Sequence, residues 1–104
     1  MKLTGKCKED FEKWYLEEYT FGISHLAFID FELIPMESMR YGVYVDFFTY
    51  KGFEVYWRYC FDIIKWDVRG LGNPARAGWG EELFIEEARG KSVLKANEIY
   101  NATI

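Results

Sequence analysis

The nine residues from Phe53 to Phe61 constrain the fold most, because large and polar side chains alternate along them. The odd positions are all apolar or aromatic, namely Phe53, Val55, Trp57, Tyr59 and Phe61. The even positions are mixed, namely Glu54, Tyr56, Arg58 and Cys60. Successive side chains of a β-strand point to opposite faces, whereas a helix would scatter the five large residues around its circumference. We therefore expect a central strand with its odd face buried.

The alternation changes phase after Phe61, which predicts a second strand. The apolar set becomes Ile64, Trp66 and Val68. Because a shift of one residue moves every side chain to the other face, a turn or bulge near 60–63 should separate two antiparallel strands.

A third strand is expected after the strongest turn signal in the chain, Gly70-Leu71-Gly72-Asn73-Pro74. Trp79, Leu83 and Ile85 place this strand at 79–85. The three strands together form an antiparallel meander from 53 to 85.

Apolar residues at helical spacing predict an N-terminal helix over 6–20 and a C-terminal helix over 86–101. The first stripe is Leu3, Cys7, Phe11, Trp14, Tyr15 and Tyr19, and Gly22 can end the helix. The last stripe is Ala88, Ser92, Val93, Ala96, Ile99 and Tyr100. Its small residues would let this helix lie close to the sheet. Gly90 has a low helix propensity, at a position expected to be exposed.

The segment 36–51 has both helical and strand periodicity. The helical stripe is Met36, Met39, Val43, Phe47 and Tyr50, and Tyr44 and Phe48 widen it. Val43, Val45 and Phe47 also alternate, as in a strand. Gly42 weakens a helix by roughly 1 kcal/mol relative to alanine. We favour a helix that Gly52 closes, because it accounts for more apolar positions.

Residues 23–35 leave two alternatives open. Ser24 could cap a short helix that carries Leu26, Ile29 and Leu33 and ends at Pro35. The same residues could form a strand.

Composition narrows the class of protein. A chain of 104 residues with 50% hydrophobic residues is expected to form one domain, 1–104. With 20% aromatic residues, some Tyr or Trp side chains should lie on the surface, where they often mark a contact site. The net charge of −4 opposes a general nucleic-acid role, which needs a basic surface.

Targeting signals and cysteine usage favour a cytoplasmic protein. No apolar run approaches the ~20 residues of a membrane span, and the first eight residues lack the apolar core of a signal peptide. Cys7 and Cys60, the only cysteines, are far apart, so we expect two reduced thiols and no disulfide.

Catalytic and metal-binding patterns do not emerge. His25 is the only histidine, and its spacing ties it to no cysteine or serine, so we expect it to be exposed or partly packed. Adjacent carboxylates, such as Glu81-Glu82 and Glu86-Glu87, do not share a helix face and should be solvated. We therefore expect no catalytic residues, no cofactor-binding residues, no metal ligands and no enzymatic activity.

One alternative function is nucleic-acid binding. A helix, three strands and a C-terminal helix follow one another in the double-stranded-RNA-binding domain, whose last helix begins with phosphate-binding lysines. Glu86-Glu87-Ala88-Arg89 occupies that position here and would repel phosphate. Trp79, near Arg69 and Arg76, could stack on a base, although Gly70-Leu71-Gly72 lacks the third glycine and helix start of a phosphate loop.

Three stretches carry a resemblance, namely Leu3-Thr-Gly-Lys-Cys-Lys-Glu-Asp-Phe-Glu-Lys-Trp-Tyr15, Glu37-Ser-Met-Arg-Tyr-Gly-Val-Tyr-Val-Asp-Phe-Phe48, and Glu87-Ala-Arg89 with Lys95-Ala-Asn-Glu-Ile-Tyr-Asn101. In combination they resemble a group of small uncharacterised proteins encoded by phages and prophages of anaerobic gut bacteria. The resemblance implies an intracellular mobile-element protein and a helix for the middle stretch. It supplies no catalytic residues.

The sequence thus predicts an α+β domain with N-terminal helices, a three-stranded antiparallel sheet and a C-terminal helix packed on the sheet. The first functional hypothesis is a phage-related, non-enzymatic module that binds a protein partner through exposed aromatic side chains, with a homodimer as one form. The alternative is a small nucleic-acid-binding protein.

Overall fold

The computed structural model describes residues 2–19, 37–70 and 77–103, and over these ranges the predicted α+β class is confirmed. The helices are α1 (Gly5–Trp14), which continues into a π-helical turn at Tyr15–Tyr19, α2 (Glu37–Tyr50) and α3 (Ile85–Thr103). The strands are β1 (Glu54–Cys60), β2 (Ile63–Arg69) and β3 (Ala77–Glu82). None of the helices in these ranges is long and apolar enough to cross a bilayer.

The sheet is antiparallel with the order β1-β2-β3, so β2 is the central strand. The prediction that Phe53–Phe61 forms the central strand is therefore wrong, because alternation identifies a strand but not its place in a sheet. The predicted phase change is confirmed. Cys60 pairs with Ile63 across a two-residue turn, and Ile64, Trp66 and Val68 are buried.

Burial falls along β1 towards the hairpin. Phe53 and Val55 are buried and Trp57 is half-buried, but Tyr59 is 65% exposed and Phe61 is 99% exposed. The predicted burial of the whole odd face is thus wrong beyond Trp57, since the helices cover only the first part of the strand. The last two large side chains project past the helical layer.

The third strand covers Ala77–Glu82 and not 79–85, so Leu83 and Ile85 lie outside it. Its inward positions include Gly78 and Gly80, while Trp79 points outward and is 73% exposed. The Trp66 indole occupies the space above Gly80, where an added Cβ would lie 2.5 Å from the ring. Because glycines add nothing to an apolar alternation, the sequence predicts this strand too late, at 79–85 instead of 77–82.

Helix α3 packs on the sheet as predicted and contacts all three strands, α1 and α2. Its six predicted core residues are all buried, namely Ala88, Ser92, Val93, Ala96, Ile99 and Tyr100. The lack of large side chains at three of these positions lets the helix approach β2 and β3 closely.

Helix α1 buries its predicted stripe, of which Leu3, Cys7, Phe11, Trp14 and Tyr15 are described. Two asparagines of α3 cap its first turn. Asn97 Oδ1 accepts a hydrogen bond from the Thr4 amide at 2.9 Å, and Asn101 Oδ1 accepts one from the Cys7 amide at 2.8 Å. Amides in a first helical turn have no acceptor within their own helix. The side-chain oxygens of α3 therefore provide the hydrogen-bond acceptors that α1 lacks.

The helix predicted over 36–51 is observed as α2, and Gly52 closes it, also as predicted. Gly52 has a φ of 90° and donates to the Thr49 carbonyl, and the Phe53 amide donates to the Phe48 carbonyl. These two bonds form a Schellman motif, which turns the chain directly into β1.

The predicted stripe of α2 is only partly correct. Val43 and Phe47 are buried, but Met39 and Tyr50 are exposed. Tyr44 and Phe48, which widen the predicted stripe, are buried as predicted, and Tyr41 completes the buried face. Both stripes satisfy helical spacing, and only the position of the sheet and α3 decides between them.

The remaining predictions lie outside the described residues. They are the two alternatives for 23–35, His25, Gly22 and the turn over 71–74. The side chain of Tyr19 also lies outside them.

We expect Gly80→Ala to lower the free energy of unfolding by roughly 1–3 kcal/mol, because the new methyl group would overlap the buried Trp66 ring. Gly90→Ala is the matched control, since a Cβ there meets nothing within 4 Å, and it should raise stability by up to about 1 kcal/mol. Urea unfolding of the two variants measures both effects. Equal stability of the two variants would contradict the packing of Trp66 on Gly80.

Candidate functional site

Exposed apolar side chains converge at the hairpin end of the sheet. We call the end patch Tyr59 and Phe61 of the β1–β2 hairpin together with Leu83 and Phe84 of the β3–α3 connection. All four side chains are at least 64% exposed. Tyr59, Leu83 and Phe84 line one groove, and Phe61 lies outside that lining, in the hairpin turn. Exposed apolar surface at one end of a sheet is typical of interaction sites.

The end patch borders a groove of about 620 Å³. Its lining comprises Tyr59, Ile64, Leu83, Phe84, Ile85, Glu86 and Glu87. The floor is therefore apolar, and Glu86 and Glu87 are both exposed at one side. The lining includes no basic side chain.

Phe61 is the most informative residue of the end patch. It has a φ of 60°, the left-handed region, and it is the first of the two residues that join β1 to β2. A bulky residue rarely adopts this conformation, and hairpin turns with this geometry favour glycine at that position. Its side chain is almost fully exposed, so neither turn geometry nor burial accounts for a phenylalanine there. An unfavourable residue at an exposed turn points to a role in recognition.

A half-buried ion pair joins α2 to α3 beneath β1. Arg89 Nη1 donates to Glu37 Oε2 at 2.9 Å, and the guanidinium lies over the Tyr41 and Trp57 rings at 6.0 and 5.7 Å. Arg89 therefore points inward and not towards solvent at the start of α3. This placement removes the one cation that the segment 86–89 could have offered to a phosphate.

Cys7 lies in a structural cluster and not in a reactive site. Burial, together with the nearby Asp10 carboxylate, raises the pKa of the Cys7 thiol to about 12. Burial and the hydrogen bond that its hydroxyl donates to Asp10 raise the pKa of Tyr100. The pKa of Asp10 is lowered, although burial opposes this, because Tyr100 and Lys6 donate to the carboxylate. A thiol with a raised pKa is a poor nucleophile.

The outer face of the sheet carries a second exposed aromatic group. Tyr56, Asp67 and Trp79 form one row across the three strands, and the Tyr56 hydroxyl donates to Asp67 Oδ2 at 3.2 Å. In the next row Lys65 forms an ion pair with Glu81 at 3.7 Å. Acidic and basic side chains are thus mixed on this face, although Arg58 and Lys65 are neighbours in the second row.

The described ranges bring no three His, Cys, Asp or Glu side chains together as a metal site. Both cysteines are free thiols, with Cys7 buried and Cys60 half-buried, as predicted. The expected surface aromatic side chains are also confirmed. The sequence does not identify which ones, because alternation predicts burial for both Tyr59 and Phe61. The change of phase after Phe61 is the one signal that could have moved this residue into the turn, where neither face of the sheet buries it.

Comparison of the chain with protein-family models, with curated proteins and with solved structures finds no match.

We expect iodoacetamide to label Cys60 and to spare Cys7 in the folded protein below pH 9.0, the ordinary thiol pKa, because Cys7 is buried and keeps its proton. In denaturant both thiols should react. Peptide mass spectrometry of the labelled protein measures this, and equal labelling of both cysteines in the folded state would contradict it.

The same raised pKa predicts alkaline destabilisation. The unfolded chain loses the Cys7 proton above pH 9.0 while the folded chain keeps it up to about pH 12, so the free energy of unfolding should fall across this interval. The raised pKa values of Tyr41 and Tyr100 act in the same direction. Cys7→Ala should show a shallower fall in urea unfolding above pH 9.0, whatever its stability below that pH.

Proposed function

We propose that this chain is a non-enzymatic protein-interaction module that binds a partner protein through the end patch. The observation that carries the proposal is Phe61, a large aromatic side chain held in solvent by a turn that disfavours it. Aromatic side chains supply much of the binding energy at protein interfaces.

The partner's chemistry follows from the groove. Its apolar floor fits aliphatic or aromatic side chains, and Glu86 and Glu87 at its side would attract lysine or arginine. Asp62, exposed beside Phe61, adds to this negative charge. We infer that the partner presents an apolar segment flanked by basic residues.

The proposed setting is the cytoplasm of a bacterial cell that carries a phage or prophage, as the three resembling stretches suggest. The partner would then be a phage or host protein. No cofactor enters the proposal.

The test uses peptides from a random display library selected on the immobilised full chain, with affinities measured by fluorescence anisotropy. We expect enriched peptides to combine apolar anchors with Lys or Arg. Phe61→Asn should weaken their binding by at least about tenfold, as expected for an aromatic hot spot. It should leave folding intact or improved, because asparagine tolerates positive φ.

Trp79→Ser is the matched control, since it removes another large exposed aromatic side chain, this one from the outer face of the sheet. Binding should survive this change. Peptides that bind Phe61→Asn as well as they bind the unaltered chain would refute the end patch as the binding surface.

A second candidate, nucleic-acid binding, is favoured by Trp79 alone, which is exposed beside Tyr56 and could stack on a base. The balanced charge of the outer face and the inward position of Arg89 oppose it. Titration of labelled single- and double-stranded RNA and DNA at low salt is the test. We expect no binding at tens of micromolar protein, within the ~10⁻⁴–10⁻⁶ M range of non-specific affinities. Binding that Trp79→Ser abolishes and Phe61→Asn spares would favour this candidate.

A further inference from the structure

Within the described ranges, the outer edge of β1 has no partner strand. β2 lies on one side of this strand, and none of the residues in the described ranges pairs with its other side. An unpaired edge offers its N–H and C=O groups to another strand, and proteins usually block such edges with proline, lysine, bulges or short length. The seven residues of β1 contain no proline, glycine or lysine.

The opposite edge of the sheet, formed by β3, is less suited to pairing with a further strand. β3 contains Gly78 and Gly80, which weaken strand pairing, and it ends with two carboxylates, Glu81 and Glu82. The two edges therefore differ in how readily they accept a further strand.

The charges of β1 form no ion pair within the described part of the chain, although Glu54 lies opposite Arg69 of β2 in the strand register. Glu54 and Arg58 are its only charged residues, both are exposed, and neither forms an ion pair there. Arg58 even lies opposite Lys65 of β2, a residue of the same sign. The two charges stand symmetrically, two residues before and two residues after Tyr56.

We propose that β1 pairs with β1 of a second copy of this chain, antiparallel about a two-fold axis at Tyr56, to form a continuous six-stranded sheet from two three-stranded ones. This self-association goes beyond the proposed function, since it uses the main chain of the sheet edge and not the end patch.

Pairing about Tyr56 gives each charge of β1 an oppositely charged partner and covers part of the exposed apolar surface. Glu54 of each copy lies opposite Arg58 of the other, so two ion pairs form. Val55 lies opposite Trp57 on the inner face, and this covers more of the half-buried indole. A register centred on Trp57 would instead place Glu54 opposite Cys60 and give the carboxylate no cation.

Sedimentation analysis across the micromolar range tests the proposal. The unaltered chain should show a monomer–dimer equilibrium. Arg58→Glu should weaken the dimer by about tenfold or more, because it places two carboxylates opposite each other in each pair. Within one chain, a glutamate at position 58 would lie opposite Lys65, which replaces a repulsion by an attraction. Thermal unfolding should therefore show an intact fold. The double variant Glu54→Arg/Arg58→Glu should restore the dimer.

Cross-linking tests the register independently. In a Cys60→Ser background, Tyr56→Cys should form an intermolecular disulfide under mild oxidation, because position 56 faces itself across the axis. Glu54→Cys in the same background is the control. Its two copies would lie about 13 Å apart along the strands, well beyond the ~7 Å limit for the Cα atoms of a disulfide.

Three outcomes would overturn the proposal. They are a monomer at every concentration, a dimer that Arg58→Glu leaves unchanged, and a dimer that Phe61→Asn dissociates. The last outcome would assign self-association to the end patch. Loss of peptide binding in Phe61→Asn with an intact dimer would support both proposals, so the failure of either one can be recognised without the other.

Discussion

The packing of α3 on the sheet is the interaction on which the other parts of the structure depend. Ala88, Ser92 and Ala96 carry little more than a Cβ and are fully buried, so the helix backbone lies close to the strands. The larger side chains of β2 fill the remaining space, and the Trp66 indole extends over Gly80. Burial of this kind contributes roughly 1.5–3 kcal/mol for each large side chain.

The same helix also positions the two other helices. Arg89 in its first half binds Glu37 at the start of α2, and the asparagines in its second half cap α1. Helix α3 thus makes three kinds of contact with the rest of the structure, namely apolar packing, an ion pair and hydrogen bonds to free amides. A helix that contacts everything else cannot move without disturbing all of them.

Both proposed surfaces lie where α3 and α2 stop covering the sheet. At the hairpin end the helical layer is too short, and apolar side chains remain in solvent. Along β1 it is the outer backbone edge that no other described strand pairs with. In the two proposals the first surface recognises side chains of a partner and the second recognises a strand.

Periodicity predicted the elements that are buried along one continuous face. It identified all six core residues of α3 and the phase change between β1 and β2, because a helix or central strand buries every residue of its stripe. It failed where burial ends within an element, as at Tyr59 and Phe61. Alternation gives the direction in which a side chain points, but not how far along the strand the neighbouring helices extend. It also failed where glycine replaces an apolar residue, as in β3.

The candidate site was predictable only in outline. An excess of aromatic residues indicated that some would be exposed, but the identity of Phe61 depends on the turn geometry and on the limits of the helical layer. Contacts between distant residues, such as the bonds from Asn97 and Asn101 to the first turn of α1, leave no periodic signal in the sequence. They join positions more than ninety residues apart.

Those two asparagines also set the order in which the molecule can be completed. The segment that becomes α1 leaves the ribosome before the asparagines that accept hydrogen bonds from its opening amides, which are translated more than ninety residues later. Its large rings therefore lack the cover of α3 throughout that interval. Docking of α3 on α1 is then a late event relative to the synthesis of α1, and a ribosome stalled shortly before Asn97 would hold a chain whose first helical turn is not yet capped.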